Sequence, residues 1–492
     1  MKKTLFSIAI LAAVFAGCAQ QDKTVVKVDG GLVKGVETSI EGVYVYKGIP
    51  YAAAPVGDLR WKAPQPVTPW EGVKVADTFG APCLQDAHVP GNPYTSEFFF
   101  EGDPEFSEDC LYLNVWTKAP GEPGKKLPVA LWVHGGGYTA GWGFEPEMDG
   151  KVWGSKDVVL VTFNYRLGVF GFLAHPLLSA ENEHGVSGNY GLLDQIAAVK
   201  WVHDNIAAFG GDPDNITVFG QSAGAGSVKN LVSSPLTGNL IKKAIIQSGG
   251  GVSDRPMLQA TGLEQIAEAN KAVMDWAGYD TLEKMRAASA QDIFAINGRY
   301  RQENGSPWGS GINTSPIVDG YVSPKSFDDA AREGSIKDIP YMIGYTLDDM
   351  GMLAQGIDAF CALRNAAGKP VYAYQFARPL PDTDPATHGM KGAFHSSELW
   401  YTFNSLDRSD RPFTEADKAL ADHMSTCWTN FVKTGNPGEG WTAYTQASPD
   451  YMVFKLSEDG LSDASAMGKP IYKEPEDFMA MMRTAAAASN QK

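Results

Sequence analysis

The sequence predicts an α/β fold, a mostly parallel central sheet with helices on both faces and inserted helical and loop regions. Three observations predict it. Short runs of β-branched and aromatic residues alternate with longer stretches of helical periodicity. No internal repeat, Pro-rich linker or low-complexity block interrupts residues 24–480. A hydrophobic share of 44% in 492 residues is enough to bury one large core.

Taken in order, the first element is a leader. Lys2 and Lys3 precede the apolar run Leu5 to Phe15, which ends in Ala16-Gly17-Cys18. A charged start, a short apolar core and small residues form an export signal, and that core is too short for a permanent membrane span. The segment resembles a bacterial lipoprotein signal, with Phe15 where such signals usually carry Leu. That resemblance implies removal of residues 1–17, lipidation of Cys18 and a tether over residues 18–24. The expected location is then the bacterial envelope, on its periplasmic or cell-surface side, with membrane contact through lipidated Cys18 only. Plain secretion is the alternative.

Residues 25–485 read as a single domain. Strands are expected at Val129 to His134, Val158 to Tyr165, Ile216 to Phe219, Lys243 to Gln247, Tyr341 to Gly344 and Val371 to Phe376. Between the second and third, Leu193, Ile196, Ala197 and Trp201 recur at helical spacing. Strand, helix, strand repeated in this way requires a sheet covered on both faces. The stretch from about Leu258 to Gly311 reads as an inserted helical region, and Ala485 to Lys492 as a frayed tail.

The net charge of -16 and pI of about 5.0 argue against nucleic acid, because phosphate binding needs clustered Lys and Arg. A solvated acidic surface accounts for the charge. Setting Cys18 aside leaves Cys83, Cys110, Cys361 and Cys427, an even number in an exported chain. Cys83 and Cys110 would close a short loop, whereas Cys361 and Cys427 can pair or remain buried thiols.

The sharpest chemical signal is Gly220-Gln221-Ser222-Ala223-Gly224, between the strand Ile216 to Phe219 and the small residues Ala225-Gly226-Ser227. A turn this tight between strand and helix lifts the Ser222 hydroxyl above the sheet as a nucleophile, and only small residues fit beside it. Upstream, Trp132-Val133-His134-Gly135-Gly136-Gly137 follows a strand. Consecutive glycines let backbone N–H groups converge on one point, which suits the oxyanion of a tetrahedral intermediate. The expected donors are Gly136, Gly137 and Ala223.

These motifs, with Glu108-Asp109-Cys110-Leu111-Tyr112-Leu113-Asn114-Val115, resemble the type-B carboxylesterase family. Tyr46 to Tyr51, Asn164 to Phe172, Gly188 to Gln195, Gln247-Ser248-Gly249 and Trp428 to Phe431 extend the similarity over about residues 25–455. The resemblance implies an α/β-hydrolase fold and a serine esterase acting on small-molecule carboxylic esters, with neither metal nor organic cofactor. It implies the chain order Ser, acid, His. The acid falls at Asp349 in Ile343-Gly344-Tyr345-Thr346-Leu347-Asp348-Asp349, with Asp348 as its rival. The base falls at His395 in Gly392-Ala393-Phe394-His395-Ser396-Ser397-Glu398. His134 and His203 read as structural, and His388 as a surface loop residue. By resemblance, Arg60 pairs with Glu108, Cys83 joins Cys110 in a disulfide, and Ser248 and Gln221 lie near the catalytic centre.

Only 46 residues separate Asp349 from His395, fewer than the resemblance implies. The missing portion would help wall the gorge, so a more open gorge admitting bulky or aromatic esters is expected, with less support for Met350 to Gly368. Two other readings use the same residues: a catalytically inactive binding or adhesion protein, and an amidase or peptidase.

Overall fold

The computed structural model describes residues 22–90, 92–253, 262–305, 311–349, 353–381 and 390–472. The leader, Cys18, His388 and the tail from Ala485 lie outside the described residues, as do parts of the Leu258–Gly311 and Met350–Gly368 stretches. In chain order the strands are β1 (Val25–Val28), β2 (Gly31–Lys34), β3 (Val36–Glu37), β4 (Tyr44–Pro50), β5 (Val73–Val75), β6 (Tyr112–Thr117) and β7 (Leu127–Val133). They continue with β8 (Val159–Phe163), β9 (Gly211–Gln221), β10 (Ile241–Gln247), β11 (Tyr341–Thr346), β12 (Val371–Phe376), β13 (Tyr451–Phe454) and β14 (Ala466–Gly468).

Eleven of these form the main sheet, in the order β14-β13-β12-β11-β10-β9-β7-β8-β6-β4-β3. The stretch from β8 through β13 is parallel throughout. Antiparallel strands flank it on both sides. The remaining three, β1, β2 and β5, make a small separate sheet.

Parallel strands covered on both faces must be apolar throughout, and β8 and β12 are buried at every position. Along β7 the side chains alternate between two cores. Val129, Leu131 and Val133 join the cluster containing Ile196, Val199 and Val202 of helix Tyr190–Asn205, while Ala130 and Trp132 join the one containing Trp428 and Phe431 of helix Glu415–Thr434. The second helix starts at a capping box, in which Thr414 and Asp417 satisfy each other's backbone N–H, and stops at left-handed Gly435. Each of the six expected strands is present, most of them longer than the apolar run that marked them.

The inserted region is helical at Leu263–Trp276, Leu282–Ala287 and Ala290–Asn304. A buried ion pair moors it. The Arg60 guanidinium grips both Glu108 oxygens, through Nε at 2.5 Å and Nη2 at 2.8 Å, and donates from Nη1 to the carbonyls of Met285 and Ala288 at 2.9 Å each. The Met350–Gly368 stretch, expected to have less support, carries helix Leu353–Ala366, whose Ile357, Phe360 and Cys361 are buried.

The expected disulfide is not formed in this structure. Cys83 and Cys110 are buried free cysteines in the same core. The Cys83 sulfur accepts the Leu167 N–H at 3.3 Å. Cys361 and Cys427 are buried free thiols as well, packed in opposite cores, which leaves them unpaired.

Candidate active site

Strand β9 ends at Gln221 and helix Ala223–Ser233 begins two residues later, so Ser222 makes the whole turn. Its backbone sits at φ 58° and ψ -124°, a region that non-glycine residues rarely enter. The Ser222 N–H donates to the Gln247 carbonyl of β10 at 2.9 Å, and its carbonyl accepts from Gly226 at 3.0 Å. Glycine is obligatory beside it: a Cβ at Gly224 would stand 2.0 Å from the Val133 carbonyl oxygen, and one at Gly220 2.7 Å from the same oxygen.

The glycine run follows β7, the neighbour of β9, and therefore meets the turn from the side. Gly136 and Gly137 both have positive φ, 92° and 62°. A Cβ on Gly136 would stand 2.0 Å from the Ala140 carbonyl oxygen. Neither N–H finds a protein acceptor among the described residues, and Ala223, as the first residue of its helix, has no intrahelical acceptor. These three donors are left free beside Ser222.

Asp349 lies in the turn after β11 and His395 in the loop before the short helix Leu399–Thr402. Their side chains meet, with His395 Nδ1 2.8 Å from Asp349 Oδ1. The Asp349 Oδ2 accepts from the Thr346 hydroxyl at 3.2 Å. Asp348 faces elsewhere: its carboxylate accepts the Ala393 N–H at 2.7 Å and ties the two loops together. The other ring nitrogen, His395 Nε2, lies 3.1 Å from the Gln221 amide nitrogen, and no hydrogen bond joins it to Ser222 among the described residues.

Electrostatics support an imidazole that accepts protons. Burial opposes the cation, but the attraction of Asp349 and its hydrogen bond, with Glu398 behind, outweigh it and hold the His395 pKa above the ordinary 6.5. Glu398 is fully buried, and burial with the nearby Asp349 charge pushes its carboxyl up to about 7. His134 stacks on Tyr165, and burial lowers its pKa to about 4.

A cavity of about 410 Å³ opens over Ser222, lined by the glycine run, Gln221, Ser396 and the aromatic side chains Tyr94, Phe98 and Phe99. A larger one, about 560 Å³, shares Phe98, Phe99 and Glu145 with it but contains none of Ser222, His395 and Asp349. Of the three, Ser222 lines the smaller cavity, which is therefore the candidate pocket. Tyr94 was not legible as a site residue. Its hydroxyl pairs with Ser396 Oγ and donates to the His395 carbonyl at 3.3 Å, so it braces the histidine loop from a distant part of the chain. Among the described residues no group of three or more His, Cys, Asp or Glu side chains is arranged to hold a metal ion.

The profile of the Carboxylesterase family matches residues 22–360 and 352–470. The chain belongs to that family. It is 36% identical to a para-nitrobenzyl esterase of Bacillus subtilis (strain 168), over 86% of this chain and 93% of that one. It is 40% identical to a fumonisin B1 esterase of Sphingopyxis macrogoltabida, over 88% and 86%. Among solved structures, a PNB esterase superposes with TM-score 0.73 at 30% identity, covering 94% of this chain and 99% of the other. A carboxylesterase of Geobacillus stearothermophilus gives 0.71 at the same identity and coverage. The fold is therefore the α/β-hydrolase fold of these esterases, and the protein is a serine carboxylesterase.

Proposed function

We propose that this carboxylesterase hydrolyses small-molecule esters through an acyl-Ser222 intermediate, with His395 as general base and acid and Asp349 as its orienting carboxylate. The observation that carries the reading is the 2.8 Å contact between His395 Nδ1 and Asp349 Oδ1, which leaves Nε2 turned toward the Ser222 turn. With Nδ1–H donated to Asp349, Nε2 carries the lone pair that accepts a proton.

As Ser222 Oγ attacks the ester carbonyl, His395 Nε2 moves off Gln221, takes the hydroxyl proton and then delivers it to the departing alkoxide. Asp349 stabilises the imidazolium formed in between. Charge on the carbonyl oxygen is met by the N–H groups of Gly136, Gly137 and Ala223. Water repeats the cycle on the acyl-enzyme, so the kinetics are ping-pong. The aromatic lining of the pocket favours bulky or aromatic esters. The leader places the enzyme outside the cytoplasm, anchored through a lipid on Cys18.

A fluorophosphonate probe tests the chemistry. Stoichiometric labelling that disappears in Ser222→Ala is expected; a probe that labels another residue, or none, overturns the assignment. Radiolabelled palmitate incorporation, lost in Cys18→Ala, tests the anchor, and an unlabelled mature chain overturns it.

A further inference from the structure

We propose that a pair of carboxyl groups, Glu145 and Glu147, makes the Ser222 pocket a site for esters bearing a primary ammonium group. The proposal rests on the hydrolytic reading above and names the substrate class it serves. Both residues follow the glycine run, on either side of Pro146 in the short turn Pro146–Met148, and both line the cavity that opens over Ser222. They are 8% and 1% exposed. Glu145 Oε1 accepts the Trp142 N–H at 2.9 Å.

The two carboxyls sit on either side of Pro146 and each bears on the other's ionisation, so two buried charges side by side are disfavoured. Burial pushes Glu145 up to about 7, and burial together with the neighbouring Glu145 pushes Glu147 well above the ordinary carboxyl range. Glu147 Oε2, deep in the wall, has no hydrogen-bond partner among the described residues. A buried acceptor without a donor is unfavourable, and no group among the described residues supplies one to this oxygen.

The surroundings select a cation over a neutral donor. Among the described residues no lysine or arginine lines the cavity, and Asp86 adds a third carboxyl. The next acid, Glu97, is already held by Arg411 and offers no second site. Tyr94, Phe98 and Phe99 supply ring faces, which attract a cation held near them. A primary ammonium brings both the charge that lets the pair ionise fully and the N–H donors that its free oxygen lacks. A quaternary ammonium brings the charge alone.

The test compares three butyrate esters on the purified protein: 4-aminobutyl, the isosteric pentyl, and 4-(trimethylammonio)butyl. The expected kcat/KM for the aminobutyl ester exceeds that for the pentyl ester by about tenfold or more, with the trimethylammonio ester below the aminobutyl one. A ratio of one or less overturns the proposal, as does a trimethylammonio ester equal to the primary amine. Glu147→Gln and, separately, Glu145→Gln should each lower the aminobutyl-to-pentyl ratio severalfold; an undiminished ratio in both overturns it. In the unsubstituted enzyme, pentylammonium should inhibit pentyl butyrate hydrolysis competitively, and its failure to inhibit counts against the pair. If no ester is hydrolysed and Ser222 takes no probe, the hydrolase reading itself has failed. That result is distinct from a pentyl ester turned over with no preference for the amine.

Discussion

The side-chain amide nitrogen of Gln221 lies 3.1 Å from Nε2 of His395. Since Nδ1 of the ring faces Asp349, Gln221 occupies the lone pair on which the chemistry depends. An N–H donated to that lone pair favours the neutral ring. Gln221→Ala is therefore expected to move the His395 inflection in the pH profile of kcat/KM upward. A downward move would show that the amide oxygen, not its nitrogen, faces the ring.

Activity should rise with pH as His395 loses its proton, with a midpoint above 6.5, because Asp349 stabilises the cation. Glu398 adds to that stabilisation from behind. Glu398→Gln removes its share and should shift the midpoint to lower pH while the enzyme still turns over. A midpoint that does not move in this variant would remove Glu398 from the account.

Asp349→Asn and Asp348→Asn separate the adjacent acids. The first should cost on the order of 10⁴ in kcat through the wrong imidazole tautomer. The second loses a carboxylate that accepts the Ala393 N–H across the loop and does not hydrogen-bond the imidazole, and should cost far less. Equal losses, or a larger loss at 348, would contradict the assignment. Ser222→Ala and His395→Ala should each reduce turnover by several orders of magnitude.

Arg60→Ala should destabilise the fold by about 3–5 kcal/mol, because it strands the Glu108 carboxylate, which is 8% exposed, and frees two carbonyls of the inserted helical region. Urea unfolding followed by fluorescence measures this. A loss under about 1 kcal/mol would mean that the region is held by its apolar contacts alone.

Ser222 and His395 were legible as candidates because their signals are local: a strand, a glycine-flanked turn and a helix start for one, a loop motif for the other. Asp349 was legible only as one of two neighbours. What distinguishes it is where Asp348 points, and that is set by the Ala393 N–H on another loop. Six of the seven parallel strands stood out as short β-branched and aromatic runs, whereas parallel β13 was missed. Antiparallel β6 did not stand out, since it carries Asn114 in its middle, and β3 is only two residues long. The Glu145–Glu147 pair carries no periodic signal at all; its meaning arises from burial, which spacing does not encode. The resemblance likewise put Cys83 beside Cys110, but did not give the state of their sulfurs.

The contact of Gly220 and Gly224 with the Val133 carbonyl has a thermal consequence. It seats the root of the glycine run on the root of the nucleophile turn with no space for either to slide. Hydroxyl and amide trap then ride through the protein's breathing motions as one rigid piece. Heating should accordingly leave catalytic competence intact until the β7–β9 pair itself comes apart, and inactivation should coincide with the cooperative melt rather than precede it.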